Sequence, residues 1–206
     1  MTISANPFLI RQSEFVQIEN PTPTDWVFRV AENGILTADF LQTNQDLTVR
    51  VHLLGPQAKC HINCGYLVSN NNKINIDIQV LHKSSKTTSV QEIRGLVTDR
   101  ADVCFTGTIS IPYEMQKCDG RQNHRAVILS DSATVSATPQ LEIWADDVQC
   151  AHGSAIGPLD PDQIFYLQTR GIAQSDAKKL LLGSFFNDLL PVDFNPLIQE
   201  WMDHHV

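Results

Sequence analysis

A cysteine and a histidine two residues apart, Cys150 and His152, lie in the stretch EIWADDVQCAHGSAIG. Acidic residues precede them and small residues follow. On an extended strand successive side chains alternate, so residues two apart share a face. A thiolate and a neutral imidazole on one face form half of a soft ligand set for iron or an iron–sulfur cluster. Two donors do not close such a site, so the remainder must come from another strand or another subunit. The bland alternative is a strand end running into a small-residue loop. Spacing alone leaves both open.

The other cysteines point elsewhere. Cys60 and Cys64 flank His61 in AKCHINCGYLV, which alternates like a strand and turns Cys60, Ile62 and Cys64 to one face. Buried cysteine acting as a small hydrophobe is the common case. Cys104, beside Phe105, also reads as core, whereas Cys118 precedes Asp119-Gly120 in turn material and its role is not readable from the sequence. Five cysteines, an odd number, suggest free thiols in a reducing compartment and a cytoplasmic protein. The patterns G-x-x-x-x-G-K-[ST], G-x-G-x-x-G and G-x-S-x-G are absent, which removes the familiar phosphate loops and the usual hydrolase nucleophile turn. His61 and His124 lack zincin-type neighbours, and no catalytic residue is assigned.

The elements that must position Cys150 and His152 have period two from Trp26 to about Cys150. Leu47, Val49, Val51 and Leu53 fall on one face, as do Ile74, Ile76, Ile78 and Val80. Val103, Phe105, Ile109 and Ile111 alternate around Gly107, with RAVILS and QLEIWA completing the series. The pattern predicts an all-β region of about nine strands. NNN at 70–72 and CDGRQN at 118–123 read as turns. A Greek-key sandwich and a β-helix both fit, and periodicity alone prefers the sandwich. After Gly157 the period becomes helical. Asp160 caps a first helix with Pro161 at its first position and Gly171 as terminator. Ser175 is the expected cap of a second helix, and Asn195 with Pro196 opens a third. Three segments follow: an irregular lead-in over 1–25, a β core over 26–157 and a helical segment over 158–206.

The bulk composition narrows function. With 206 residues the chain suits one domain. A formal charge of −8, with basic residues scattered, argues against nucleic-acid binding. No secretory leader is evident, and no apolar stretch approaches a membrane span.

The segment Ile128–Ile172, ILSDSATVSATPQLEIWADDVQCAHGSAIGPLDPDQIFYLQTRGI, resembles the SufB/SufD family, scaffold components of the SUF iron–sulfur cluster assembly system. The family pattern P-x-L-E-I-x-A-D-D-V-x-C-x-H-G is matched from Pro139 through Cys150, His152 and Gly153. The following L-D…F-Y-L-x-x-R-G-I is matched at Leu159, Asp160, Phe165, Tyr166, Leu167, Arg170, Gly171 and Ile172. VHLLG at 51–55, VLHKSSKTTS at 80–89 and IRGLVTDRADVCFTG at 93–107 extend the likeness. Gly153 stands where SufB carries a glutamate, so the match is to SufD. Ala151 and Ala173 replace family serines, and SufD-like chains usually carry an N-terminal helical domain that this stretch mostly lacks.

The resemblance implies a right-handed parallel β-helix followed by a short C-terminal α-helical segment, in place of the sandwich. It implies a scaffold, not an enzyme, that pairs with SufB and docks the SufC ATPase on its C-terminal helices. A transient iron–sulfur cluster would be shared with SufB, with His152 first and Cys150 second as contributors. Phe165, Arg170, Phe185 and Phe186 are the expected docking residues. In isolation a homodimer is expected, paired along Gln140–Ala145 as the last strand. The alternatives are a carbohydrate-active β-helix enzyme and a stand-alone homodimeric metal-binding protein.

Overall fold

The computed structural model describes residues 8–11, 13–19 and 24–206, with backbone alone for 15–19. Alternating strands leave an apolar face that no single strand can bury, and here the chain buries it by winding. The strands are β1 (Phe8–Ile10), β2 (Ser13–Glu19), β3 (Asp25–Val30), β4 (Ile35–Thr43), β5 (Leu47–Leu53) and β6 (Lys59–Val68). They continue as β7 (Lys73–His82), β8 (Thr88–Val97), β9 (Asp102–Ile111), β10 (Cys118–Ile128), β11 (Thr134–Ile143) and β12 (Val148–Gly157). Odd-numbered strands form one sheet, β1-β3-β5-β7-β9-β11, and even-numbered strands the other, β12-β10-β8-β6-β4-β2. Neighbours pair in parallel, so each coil lays one strand on each sheet. This is a parallel β-helix. The sandwich preferred by periodicity is wrong because period two records a half-buried face and not the direction of the neighbouring strand.

The corners from β3 to β10 turn through left-handed backbone. Asn33, Gln57, Lys86 and Lys117 take positive φ on leaving an odd strand, and Asn44, Asn70 and Asp99 on leaving an even one. Asparagine and aspartate tolerate that region, whereas glutamine and lysine rarely adopt it. The NNN turn was therefore legible at Asn70, and the corners at Gln57, Lys86 and Lys117 were not.

Inside the coil, Val49, Val51, Ile76, Ile78, Phe40 and Phe105 pack as the main core. A second layer lies on the outer face of the even-numbered sheet. There Leu41, Leu67 and Leu96 meet Leu182, Phe186, Ile198, Trp201 and Met202 from the helices. Tyr66–Val68 and Gly95–Val97 are consequently buried on both faces, which breaks the alternation at those strand ends. The helices are α1 (Pro161–Thr169), α2 (Gln174–Phe186) and α3 (Asn195–His205), with a 3₁₀ turn at Val192–Phe194. Asp160 caps α1 by accepting from the Asp162 N–H at 2.9 Å, and Gly171 takes φ 86° beyond its end. Arg94 ties the sheet to α2. Its guanidinium donates to the Phe185 carbonyl and makes a bidentate pair with Asp188, which holds the Asp188 carboxyl below its usual pKa.

Several expectations are corrected. Strands β1 and β2 lie within the stretch read as an irregular lead-in, and β1 pairs with β3; residues 1–7, 12 and 20–23 of that stretch lie outside the described residues. CDGRQN is the start of β10, and Cys118 is buried there. Cys104 is exposed, since alternation that buries Val103 and Phe105 must turn it outward. The small residues Gly153–Gly157 continue β12 instead of forming a loop. Helix α2 is capped at Ala173, without a side-chain bond, and α3 at Phe194.

Candidate functional site

Strand β12 closes the even-numbered sheet and pairs only with β10, so among the described residues its other edge has no strand. The strand at the end is thus β12, joined by β11 on the opposite sheet, and not Gln140–Ala145 alone. Register sets the inward face. Cys118, Gly120, Gln122 and His124 stand opposite Val148, Cys150, His152 and Ser154. Cys118, Gly120, Gln122 and His124 are buried, so Cys150 and His152 share the face that looks into the open end of the coil.

Cys150 is half-buried against Ile109, Ile111, Cys118 and Ala145. It sits over Gly120, where a Cβ would come within 3.5 Å of its Sγ and 3.0 Å of Ile109 Cγ2. Burial raises the Cys150 thiol pKa above the ordinary range. The Gly120 N–H opposes that rise, while Asp119 and Cys118 add to it. His152 is exposed at the mouth. Cys60 and Cys64 are buried core residues as expected, with thiols pushed up to about 12 by burial. They are inert packing groups. Among the described residues no group of three or more His, Cys, Asp or Glu could hold a metal ion, so Cys150 and His152 remain a pair.

Beneath the pair the interior becomes polar. His124, fully buried, shares hydrogen bonds with Tyr66 Oη at 2.9 Å and Ser154 Oγ at 3.2 Å, and stacks on Phe105 at 4.7 Å. His82 is bracketed by Thr87 Oγ1 at 2.7 Å and Ser89 Oγ at 2.8 Å. Gln122 donates to Gln91 Oε1 at 2.7 Å, and Gln91 donates to the Thr108 carbonyl at 3.3 Å. Sequence reasoning missed all of these. The signal was present in parity, because Ser89, Gln91, Gln122 and His124 are polar residues at inward positions of alternating strands.

Of the expected docking residues, Phe165 is 66% exposed on α1, a helix with no buried residue. Arg170 is also exposed and lies over the Tyr166 ring at 5.3 Å. Phe185 is partly buried beneath Arg94, at 5.6 Å. Phe186 is 1% exposed and belongs to the second core, so it cannot contact a partner without unpacking the sheet.

With this geometry in place, comparison with known proteins decides the family. The model described as "SUF system FeS cluster assembly, SufBD core domain" matches residues 29–185. The chain belongs to the SufBD core family. The matched span includes the β-helix from β3 onward, Cys150, His152 and most of α2. The chain is 37% identical over 108 residues to the iron–sulfur cluster assembly protein SufD of Escherichia coli, covering 52% of this chain and 26% of that protein. It is 30% identical over 159 residues to the chloroplastic protein ABCI7 of Arabidopsis thaliana, covering 77% and 34%. It is 32% identical over 111 residues to SufD of Bacillus subtilis, covering 54% and 25%. The matches thus span about a quarter to a third of the length of these relatives. Among the described residues no helix is long and apolar enough to cross a membrane.

Proposed function

We propose that the chain is a SufD-like scaffold subunit for iron–sulfur cluster assembly, with the nascent cluster as cargo and no catalysis of its own. The carrying observation is the pair Cys150 and His152 on the inward face of the terminal strand, inside the segment that matches the family. One thiol and one imidazole at an open end call for donors from a second chain. The free edge of β12 supplies backbone N–H and C=O groups for that chain to pair with. A SufB-like protein is the proposed partner, and a second copy takes its place in a pure preparation. The working compartment is proposed to be the cytoplasm. In cells that depend on this pathway, His152→Ala is expected to lower cluster formation at least about 10-fold, as loss of a ligand or its support does. Cys150→Ala is expected to have the smaller effect. Unchanged cluster yield in both variants removes the pair from the mechanism.

The helical segment is proposed to dock the SufC-type ATPase. Support comes from exposed Phe165 and Tyr166 on α1 and from Leu180, 57% exposed on α2. Helix α2 follows α1, which itself follows β12, so a force on the helices reaches the strand bearing the site. Phe165→Asp with Leu180→Asp is expected to cut co-purification of the ATPase at least about 10-fold while circular dichroism stays unchanged, because exposed apolar anchors dominate such contacts. Retained binding in the folded double variant removes this surface from the docking role.

A further inference from the structure

One buried polar atom beneath the site has no partner. Gln122 is 3% exposed, and its Oε1 makes no hydrogen bond. Buried acceptors are almost always satisfied, so an orphan at a site calls for an explanation.

The direction of the amide follows from a chain of constraints. The Thr108 carbonyl can only accept, so Gln91 must turn its NH₂ toward it. Gln91 then offers Oε1 to the next coil, and Gln122 must answer with its own NH₂. The Gln122 oxygen is the end left over. Two coils of amides are thereby polarised toward the last strand, and each bond strengthens the acceptor at the end. Gly107 makes room for this arrangement, since a Cβ there would lie 2.1 Å from Gln122 Nε2. Gln122 has Gln91 as its in-register neighbour on one side and His152 on the other. The amide nitrogen is spent on the Gln91 side. The residue in register with Gln122 on the terminal coil is His152, exposed and not bonded to that oxygen here, and its ring carries an N–H donor in the neutral form.

We propose that Gln122 is a positioning residue for His152: when the ring turns inward from its exposed position, the amide oxygen accepts one imidazole N–H and leaves the other ring nitrogen outward for iron. Resting on the scaffold reading above, this assigns the tautomer that the site presents. A histidine ligand commonly donates its second nitrogen to a carbonyl, which fixes the ring and raises its basicity. Here the carbonyl comes from a side chain of the preceding coil.

The test uses the whole chain with labelled histidine, metal-free, at a pH where His152 is neutral. Nitrogen chemical shifts are expected to show a single fixed tautomer for His152. In Gln122→Met the ring should revert to the mixed tautomers of a free imidazole. Because that change strands Gln91 Oε1, the double variant Gln91→Met/Gln122→Met removes both amides together and protects the fold. A fixed His152 tautomer that persists in the folded double variant overturns the proposal. Titration with Co(II) alone then separates the two readings. Affinity should fall about 10-fold in the double variant. If His152→Ala leaves Co(II) affinity unchanged, the scaffold reading loses its ligand, while the tautomer result still decides the role of Gln122.

Discussion

Acidification from pH 7 to 4 is expected to remove several kcal/mol of folding stability, concentrated on His82 and His124. Both are fully buried, and burial lowers each pKa from 6.5 to about 4. Thr87 donates its own proton to the Ser84 carbonyl, so His82 Nδ1 carries the hydrogen and Nε2 accepts from Ser89. That ring is satisfied as a neutral group. His124 is held between Tyr66 and Ser154 and stacked on Phe105, with no carboxylate to welcome a charge. Asp119 offsets part of the shift at His82 only.

The sign follows from proton counting. Between the folded value near 4 and the unfolded value of 6.5, the unfolded chain binds protons that the folded chain refuses. Stability is therefore fully present above 6.5 and falls as pH drops toward 4. The loss approaches about 3 kcal/mol for each histidine. Asp39 works the other way, because burial raises its carboxyl, but it is a single group also stabilised by Asn63. Denaturant midpoints measured from pH 7 to 4 should fall steeply, and His124→Gln should roughly halve the slope. A flat profile through that window contradicts the assignment.

These two histidines also mark the limit of what the sequence made legible. The alternation of Leu47–Leu53 and Ile74–Val80 identified strands and their buried faces correctly, because side-chain parity is a property of one strand. Parallel pairing is a property of two strands, and only the resemblance around Cys150 and His152 supplied it. The same-face placement of that pair was readable from spacing. What lies beneath it was not, since Gln91, Gln122 and His124 become neighbours only when coils stack in register. Phe186 failed for a related reason. Consecutive apolar residues in α2 show that a helix needs cover on more than one side, but Leu41, Leu67 and Leu96 on the sheet are invisible from the helix. Cys104 is the avoidable error, because its own strand's parity already turned it outward.

Gly95→Ala is expected to be among the most damaging single substitutions in the β-helix. Gly95 stands in register with Tyr66 on β6 and Ala126 on β10. The Tyr66 ring lies across it, reaching over that coil to His124. A Cβ at Gly95 would fall 1.9 Å from Tyr66 Cε2 and Cζ. The ring cannot retreat, because it is fully buried and its hydroxyl is held at 2.9 Å by His124. The backbone cannot retreat either, since β8 is paired on both edges. Overpacking of this kind costs about 1–3 kcal/mol. Displacing the hydroxyl strands His124 Nε2, which adds about 1–3 kcal/mol. A total loss of about 2–6 kcal/mol is expected, readable as a shift in denaturant midpoint with unchanged slope. The cause can be isolated. Tyr66→Leu removes the ring and opens the space, so Gly95→Ala in that background should cost at least about 2 kcal/mol less than in the parent. Additive losses would mean that Gly95 matters for some reason other than the ring. The Tyr66–His124–Ser154 chain ends on β12, two residues beyond His152. Damage at Gly95 should therefore also appear as faster hydrogen exchange along β12, the strand that carries the site.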